Sequence, residues 1–221
     1  MADFTLHIGN KAYSSWSLRG WLACKIAGID FAESVHDMYT ADWPATARRI
    51  SPTGKVPVLH HGSRVVWESI AIIEYLADLM PQAGLWPADP AARAQARAIS
   101  AEMHAGFVDL RRAMWMNIRR RFPGKGRNPA ALADIARIAA LWRDTRARFG
   151  AGGPFLFGAK LSGADAMYAP VVTRFVTWAP ELPADAAAYV GAVWDHPFVV
   201  EWRKAAEAET WVNPKFETPV D

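Results

Sequence analysis

Thiols are nearly absent from this sequence, in which Cys24 is the single cysteine among 221 residues. One thiol cannot form a disulfide within the chain, a C-x-x-C redox pair or a cysteine zinc site. We therefore expect a reducing, cytoplasmic environment. Cys24 lies on the same side of a predicted helix as Trp21, a position more typical of a small core residue than of a nucleophile.

Long apolar runs are also missing. No window approaches the roughly 18 uninterrupted apolar residues that a membrane span requires, and the opening residues MADFTLHIGN lack the basic flank and apolar stretch of a targeting peptide. Neither sign of charge dominates, because the net charge is +3 and the pI is near 9.1. Such mild basicity suits a small anionic ligand as well as nucleic acid. We expect no membrane partner and do not favour a nucleic-acid partner.

Positive charge is concentrated in one stretch, NIRRRFPGKGRN, around a Pro-Gly turn. Cations are favoured near a helix C-terminus, so this stretch fits a solvated helix end with its exit turn. An anion-binding role for some of its side chains is the alternative. The basic residues are Arg119, Arg120, Arg121, Lys125 and Arg127.

Signature motifs of several enzyme classes are absent. The chain contains no G-x-S-x-G, no P-loop and no G-x-G-x-x-G, which leaves hydrolase, NTPase and dinucleotide-enzyme functions without a motif. His60 and His61 are adjacent in a predicted strand and so point to opposite faces. The other histidines show no ligand spacing, and we expect no metal site. They are His7, His36, His104 and His196.

A folded α/β unit is indicated in the first eighty residues. FTLHI alternates as a strand does, a helical spacing then runs from Trp16 to Ile26 and ends at Gly28, and FAESV is a second strand. KVPVLHHGSRVVWES reads as two strands joined at His61-Gly62, followed by a helix through Ile72 and Leu76. The order βαβ-ββα predicts a mixed four-stranded sheet, since the crossover gives a parallel pair and the hairpin an antiparallel one.

The remainder predicts an all-α domain. MPQAGLWPADP carries three prolines and is the best linker in the chain. Beyond it, one long apolar stripe at helical spacing runs from Ile99 to Met114 and another from Leu132 to Trp142. SGAD at Ser162–Asp165 is a capping box that opens a third helix, and HPFVVEWRKAAEAETWV predicts a last one. We expect domains at 1–80 and 91–221 joined by a linker at 81–90.

Candidate chemistry begins at the turn that precedes the first helix. A helix N-terminus presents unpaired N–H groups and a partial positive charge, so it favours an anion placed against it. Its serine hydroxyls either cap the helix or donate a hydrogen bond to that anion and lower its pKa. We expect Ser15 to cap the helix and Ser14 to face a ligand, with Tyr13 and Ser15 as rivals for the second role. Ser14 lacks a recognisable base, so donor is a better role for it than nucleophile.

Two further stretches complete the candidate site. In SPTGKVPVL, Lys55 supplies a cation, and Pro57 inside an apparent strand suggests a cis Val56-Pro57 bond that leaves the Val56 backbone free for a peptide-like partner. Glu68 and Ser69 open the next helix, where acids and hydroxyls are also ordinary caps. Together these residues suit a ligand that carries both an ammonium and carboxylates.

These stretches, SSWSLR, SPTGKVPVL and ESIAIIEYLA, resemble the thioredoxin-like N-terminal domain of glutathione S-transferases, in particular serine-type, zeta-like bacterial members. LSGADAMYAP resembles the helix-opening box of their C-terminal domain. The resemblance implies that Ser14 holds the glutathione sulfur as thiolate, with Ser15 beside it. It also implies that Lys55 contacts the glycine carboxylate, Val56 pairs with the cysteinyl moiety before cis Pro57, and Glu68 and Ser69 bind the γ-glutamyl group.

The resemblance further implies glutathione as co-substrate, no metal, and a cytoplasmic homodimer active in detoxification. We expect a glutathione transferase acting on a small hydrophobic or anionic electrophile. A glutathione-dependent isomerase of maleylacetoacetate or maleylpyruvate type, or a non-catalytic glutathione-binding regulator, is the alternative. Trp16 stands where the zeta pattern has cysteine, which disfavours the isomerase. The electrophile pocket is expected between the domains, although its apolar candidates also fit an ordinary core; they are Trp16, Met103, His104, Phe107, Arg111, Met114 and Trp115.

Overall fold

The computed structural model describes residues 3–219. The first two residues of the predicted domain 1–80 and the last two of the predicted domain 91–221 lie outside the described residues. Four strands form one sheet in the order β2-β1-β3-β4. β1 pairs with β2 in parallel and with β3 antiparallel, and β3 pairs antiparallel with β4. The predicted mixed four-stranded sheet is confirmed. The strands are β1 Phe4–Gly9, β2 Phe31–His36, β3 Val58–His61 and β4 Arg64–Trp67.

Three helices accompany the sheet, and two of them were predicted. α1 and α3 pack against each other and place their N-termini close to the start of β3. α2 was not predicted, because this helix has only eight residues, carries Pro44 in its first turn and buries only Ala47. The helices are α1 Ser15–Ala27, α2 Trp43–Ile50 and α3 Ser69–Leu79.

The rest of the chain is helical, as predicted, and is organised around α7. Nearly every residue of α7 is buried, and it packs on α1, α4 and α8. Cys24 is fully buried in the hydrophobic core, and burial, together with the charge of Glu33, raises the pKa of its thiol, which confirms its prediction as a core residue. The helices are α4 Pro90–Ala105, α5 Val108–Ala113, α6 Pro129–Phe149, α7 Gly163–Trp178, α8 Ala184–Trp194 and α9 Pro197–Ala208.

Three helix predictions were wrong in extent. The stripe from Ile99 to Met114 is not one helix, because the chain turns at Gly106 and at Phe107, whose φ of 58° is left-handed, before α5 begins. The stretch around Arg119 is not a helix end, since no helix runs between α5 and α6. The last predicted helix stops at Ala208 rather than continuing to Val212. No helix within residues 3–219 is both long and apolar enough to cross a membrane.

Three histidines that the sequence did not group lie together on the sheet. His7 Nδ1 is 3.2 Å from His36 Nε2, and the rings of His7 and His60 are 4.6 Å apart. Burial, helped by the two neighbouring histidines, lowers the pKa of His7 to about 4. Within residues 3–219 no group of three or more His, Cys, Asp or Glu side chains is arranged to hold a metal ion.

A loss of stability in mild acid follows from this cluster. Because the folded state holds His7 neutral while the unfolded chain protonates near pH 6.5, folding stability falls as the pH drops from about 6.5 towards 4. We expect His7 to account for about 1–2 kcal/mol of this loss, a figure reduced for its partial exposure. Urea titrations from pH 7 to 4.5 should show a flatter pH dependence in His7→Gln, and an unchanged slope would contradict the assignment.

Candidate glutathione site

Two adjoining cavities of about 290 and 270 Å³ open beside the N-termini of α1 and α3. They share Trp16, Lys55 and Val56, so they form one continuous groove. Ser14, Ser15 and Tyr13 line the α1 side, while Pro57, Glu68 and His104 line the α3 side. Residues from three predicted stretches therefore meet at one place.

Ser14 is the N-cap of α1, with Ser15 as the first helical residue. The Ser14 Oγ accepts the backbone N–H of Ser17 at 3.3 Å and donates its hydrogen to the Ser17 Oγ at 2.8 Å. The prediction that Ser15 caps the helix is therefore wrong. A hydroxyl has two acceptor sites and one hydrogen that rotates, so Ser14 can keep capping the helix while its hydrogen turns from Ser17 toward a ligand in the groove. The unpaired N–H groups of the first turn add to the attraction for an anion there.

Tyr13 lines the groove, but its hydroxyl is already engaged. It donates to Glu217 Oε1 at 2.6 Å and accepts from the Arg119 guanidinium at 2.6 Å. Burial and the bond to Glu217 raise the pKa of Tyr13, while Arg119 opposes the shift. A phenol whose hydrogen is held by a carboxylate is a poor donor to a second anion, so the geometry favours Ser14 over Tyr13.

The loop before β3 contributes a cation and an unpaired stretch of backbone. The Val56-Pro57 peptide bond is cis, as predicted. Neither backbone group of Val56 has a hydrogen-bond partner within residues 3–219, and Lys55 is exposed beside it. α1 approaches this loop closely, because a Cβ added at Gly20 would lie 2.9 Å from the Pro57 ring. Gly20 thus allows α1 and the cis-proline loop to meet.

Glu68 is the N-cap residue of α3 and Ser69 is its first helical residue, and the two differ in which groups they can present to a ligand. Glu68 has a left-handed φ of 67° that is unusual for a residue other than glycine, and such strain is concentrated at functional positions. Its exposed carboxylate lines the groove 3.6 Å from His104 Nε2. The Ser69 hydroxyl is buried and donates to the sulfur of Met167, so it does not line either cavity. Its backbone N–H, in the first turn of α3, is the group it can present to a ligand.

Trp16 lies between the two cavities and is held by charged neighbours. The guanidinium carbons of Arg19 and Arg111 are 4.3 and 4.9 Å from its ring centroid, within cation–π range. The His104 ring meets it edge-on at 5.1 Å. Burial, together with Arg19 and Arg111, lowers the pKa of His104 against the pull of Glu68. Trp16 and His104 therefore form the wall of the groove that faces the helical domain.

The other predicted pocket residues are not brought to the groove. Met103 and Phe107 are buried in the core, and Trp115 packs at right angles on Trp178 with its N–H donated to the Phe216 carbonyl. Arg111 turns its guanidinium to backbone carbonyls, including that of Gly106 at 3.0 Å, so it reaches the groove only through Trp16. α4 ends at Ala105 and α5 begins at Val108, so Arg111 and Trp115 do not continue the helix that carries His104.

Several lining residues were missed by the sequence reasoning. Met38 and Trp43 come from the turn before α2 and from its first residue, and Thr53 and Gly54 come from the loop after it. Gly54 has a left-handed φ of 66°, and its position directly before Lys55 was a signal of a turn at the site. The others carried no recognisable pattern, since α2 itself was not predicted.

A C-terminal segment, residues 209–217, holds the turn that carries Ser14. The Glu209 carboxylate accepts the backbone N–H groups of Lys11 and Ala12 at 2.6 and 2.9 Å. Arg119 donates to the Glu209 carbonyl at 2.6 Å and so ties the basic stretch to the same segment. Structural bonds thus occupy Arg119, where the sequence had suggested a solvated or an anion-binding side chain.

Comparison with known proteins places this architecture in a family. Residues 13–79 match the model of the glutathione S-transferase N-terminal domain, and residues 90–206 match that of the C-terminal domain. A probable maleylacetoacetate isomerase of Caenorhabditis elegans is 26% identical over 193 residues, covering 81% of this chain and 89% of the relative.

Solved structures agree in fold. A glutathione transferase homologue from Burkholderia with bound glutathione superposes with a TM-score of 0.71 at 24% identity, over 93% of this chain and 99% of that one. A theta class glutathione S-transferase from Xanthomonas axonopodis pv. citri with glutathione bound gives a TM-score of 0.66 at 21% identity, over 91% of this chain and 97% of that one. With both domain models matched in order along the sequence, the chain belongs to the glutathione S-transferase family.

Proposed function

We propose that this glutathione transferase binds glutathione in the groove and uses Ser14 to hold its sulfur as thiolate for attack on a small electrophile. The observation that carries the proposal is the position of Ser14, capping α1 at the groove between Lys55 and Glu68. A free thiol with a pKa near 8.5 is only a few per cent ionised at neutral pH, and the thiolate is the nucleophile. A hydroxyl donor at a helix N-terminus favours the ionised form.

The remaining contacts follow from the charges along the groove. Lys55, which has no carboxylate partner within residues 3–219, would pair with the glycine carboxylate of glutathione. The free backbone groups of Val56 would bond the cysteinyl unit beside Pro57. Glu68 and the N–H of Ser69 would take the ammonium and carboxylate of the γ-glutamyl end, with Ser15 next to the sulfur. We assign glutathione binding to residues 1–80, a linker to 81–90 and the electrophile side to 91–221.

A second function, glutathione-dependent cis–trans isomerisation, is favoured by the similarity to the probable maleylacetoacetate isomerase. Both reactions begin with attack of the same thiolate on a substrate carbon. In transfer the glutathione adduct is released as product, whereas in isomerisation the new carbon–sulfur bond breaks again and yields free glutathione and the isomerised substrate. Trp16, which packs against two guanidinium groups, lines both cavities of the groove. We propose a cytoplasmic homodimer that acts in detoxification, with transfer to a small hydrophobic or anionic electrophile as its main reaction.

Glutathione binding tests the proposal directly. Titration calorimetry should show glutathione binding that weakens when Lys55 is replaced by Met, because an unpaired cation is removed from the groove. Lys204→Met, on α9, is the matched control and should leave binding unchanged. Conjugation of glutathione to 1-chloro-2,4-dinitrobenzene and isomerisation of a maleyl compound would then separate the two reactions. Absence of glutathione binding would overturn both.

A further inference from the structure

Lys11 and Ala12, in the turn between β1 and α1, are bonded to the helical domain through every backbone polar group that they have. The two carboxylate oxygens of Glu209 accept the N–H groups of Lys11 and Ala12 at 2.6 and 2.9 Å. The Lys11 carbonyl accepts the indole N–H of Trp202 at 3.1 Å. The Ala12 carbonyl accepts the backbone N–H of Ile118 at 3.1 Å. The second domain therefore holds a stretch of backbone that comes just before the cap of α1.

Glu209 is the principal attachment of this turn to the helical domain. Of the three partners it alone carries a charge, and charge-assisted hydrogen bonds are roughly twice as strong as neutral ones. Its own backbone is held in place, because the Glu209 carbonyl accepts from the Arg119 guanidinium at 2.6 Å. The N–H groups of Tyr13 and Ser14 bond the Asn10 carbonyl instead, which shapes the turn without attaching it to the second domain.

This attachment bears on the proposed chemistry, because the hydroxyl assigned to the sulfur and the groups assigned to the rest of glutathione belong to different elements. Ser14 follows the attached stretch, whereas Lys55 and Glu68 lie in the loop before β3 and at the start of α3. A misplacement of about 1 Å in a positioned group can cost about 100-fold in rate.

We propose that Glu209 is a positioning residue, which fixes the turn after β1 so that the Ser14 hydroxyl reaches the sulfur of bound glutathione. The inference rests on the proposed role of Ser14. Glu209 lines neither cavity of the groove and exchanges no proton in this role. The helical domain is then part of thiol activation as well as of the electrophile side.

Replacement of Glu209 by glutamine tests this role, with the pKa of the bound thiol as the readout. Glutamine keeps the size and one oxygen acceptor, but its N–H₂ group would face one of the two backbone N–H groups. The thiol pKa, followed by thiolate absorbance across a pH titration of the glutathione complex, should rise by about half to one unit. At neutral pH kcat should fall by about 3- to 10-fold, with the KM for glutathione within about twofold of wild type. The sign is informative, because loss of a nearby negative charge would by itself lower the thiol pKa.

Trp202→Phe is an independent second variant, because it removes the N–H that the Lys11 carbonyl accepts and leaves Glu209 in place. It should also raise the thiol pKa. If the glutamine variant does not fold, the inference is judged on the folded Trp202→Phe protein by the same criterion.

Two controls separate positioning from charge and from stability. Glu207→Gln removes the same charge two residues away, at an exposed position of α9. Tyr189→Phe removes a buried bond to Asp165 and should lower the melting temperature. Neither should raise the thiol pKa. A thiol pKa at or below the wild-type value in folded Glu209→Gln, together with a raised one in Ser14→Ala, would overturn this inference alone. A wild-type pKa in Ser14→Ala would overturn the assignment of Ser14 as well.

Discussion

Replacement of Asp165 by alanine is expected to lower the free energy of unfolding by about 3–5 kcal/mol, the largest effect of any single change considered for this chain. Asp165 is fully buried in the first turn of α7. Its Oδ2 accepts the backbone N–H and the hydroxyl of Ser162 at 2.8 and 2.6 Å, and its Oδ1 accepts the N–H of Leu156 and the hydroxyl of Tyr189 at 3.1 and 2.8 Å. Alanine would leave all four donors buried without an acceptor.

The position of these donors explains why the loss is not confined to one helix. Leu156 precedes α7, Ser162 caps it, and Tyr189 comes from α8, so one carboxylate fastens three segments. Burial alone raises the pKa of Asp165, and the hydrogen bonds from Ser162, Leu156 and Tyr189 oppose that shift. Since α7 packs on α1, loosening it also disturbs the helix that Ser14 caps.

Urea unfolding monitored by circular dichroism would measure the effect. Asp165→Asn keeps one oxygen acceptor but turns an amide N–H₂ toward existing donors, so an intermediate loss is expected. Asp185→Ala is the matched control, because Asp185 is a partly exposed carboxylate paired with Arg143 at the surface and such pairs contribute at most about 1 kcal/mol. A loss in Asp165→Ala no larger than in Asp185→Ala would show that the four bonds do not stabilise the fold.

Replacement of Ser14 by alanine should reduce kcat/KM for conjugation by about 30- to 100-fold. The reason is the loss of a charge-assisted hydrogen bond to the thiolate, worth about 2–2.7 kcal/mol. The pKa of the bound thiol should rise toward the free value of about 8.5. At higher pH the variant should regain much of its rate, because hydroxide then supplies the thiolate that the serine no longer stabilises.

The helix cap complicates Ser14→Ala, since removal of an N-cap hydroxyl also costs about 1 kcal/mol of stability. Ser14→Asp separates the two roles, because aspartate caps helices as well as serine but has no hydrogen to donate to the thiolate. We expect this variant to be as stable as wild type while its thiol pKa remains raised. Ser15→Ala, at the adjacent helical position, is the control for the choice between the two serines. Larger loss of activity in Ser15→Ala than in Ser14→Ala would show that the sulfur lies against Ser15.

The sequence predicted those parts of the molecule whose patterns are short-range. The alternation of β1, the hairpin at His61-Gly62, the cis bond before Pro57 and the capping box at Ser162 each lie within a few residues, and all are confirmed. Which serine caps α1 could not be predicted, because both neighbours are good caps and helix boundaries are uncertain by a residue or two from sequence.

Contacts between residues that are far apart in the sequence could not be predicted from local patterns. Gly106 is compatible with a continuous stripe in sequence, and only packing shows that the helix breaks there. The bond from Glu209 to the N–H groups of Lys11 and Ala12 spans nearly the whole chain, and a single glutamate in a helical pattern gives no indication of it. The groove was therefore predicted on its α1 and α3 sides but not on the side built by α2 and its flanking turns, and the C-terminal segment that holds the Ser14 turn was not predicted.

The hydrogen bonds of Glu209 and Glu217 to the turn after β1 can form only late in synthesis of the chain. These partners are 198 and 204 residues downstream of Lys11 and Tyr13, so the turn leaves the ribosome long before they exist. At about 5–20 residues per second, this delay is about 10 to 40 seconds. The nascent thioredoxin-like unit spends that time with the backbone N–H groups of Lys11 and Ala12 lacking their Glu209 acceptor, while the local bonds from Tyr13 and Ser14 to the Asn10 carbonyl can already form.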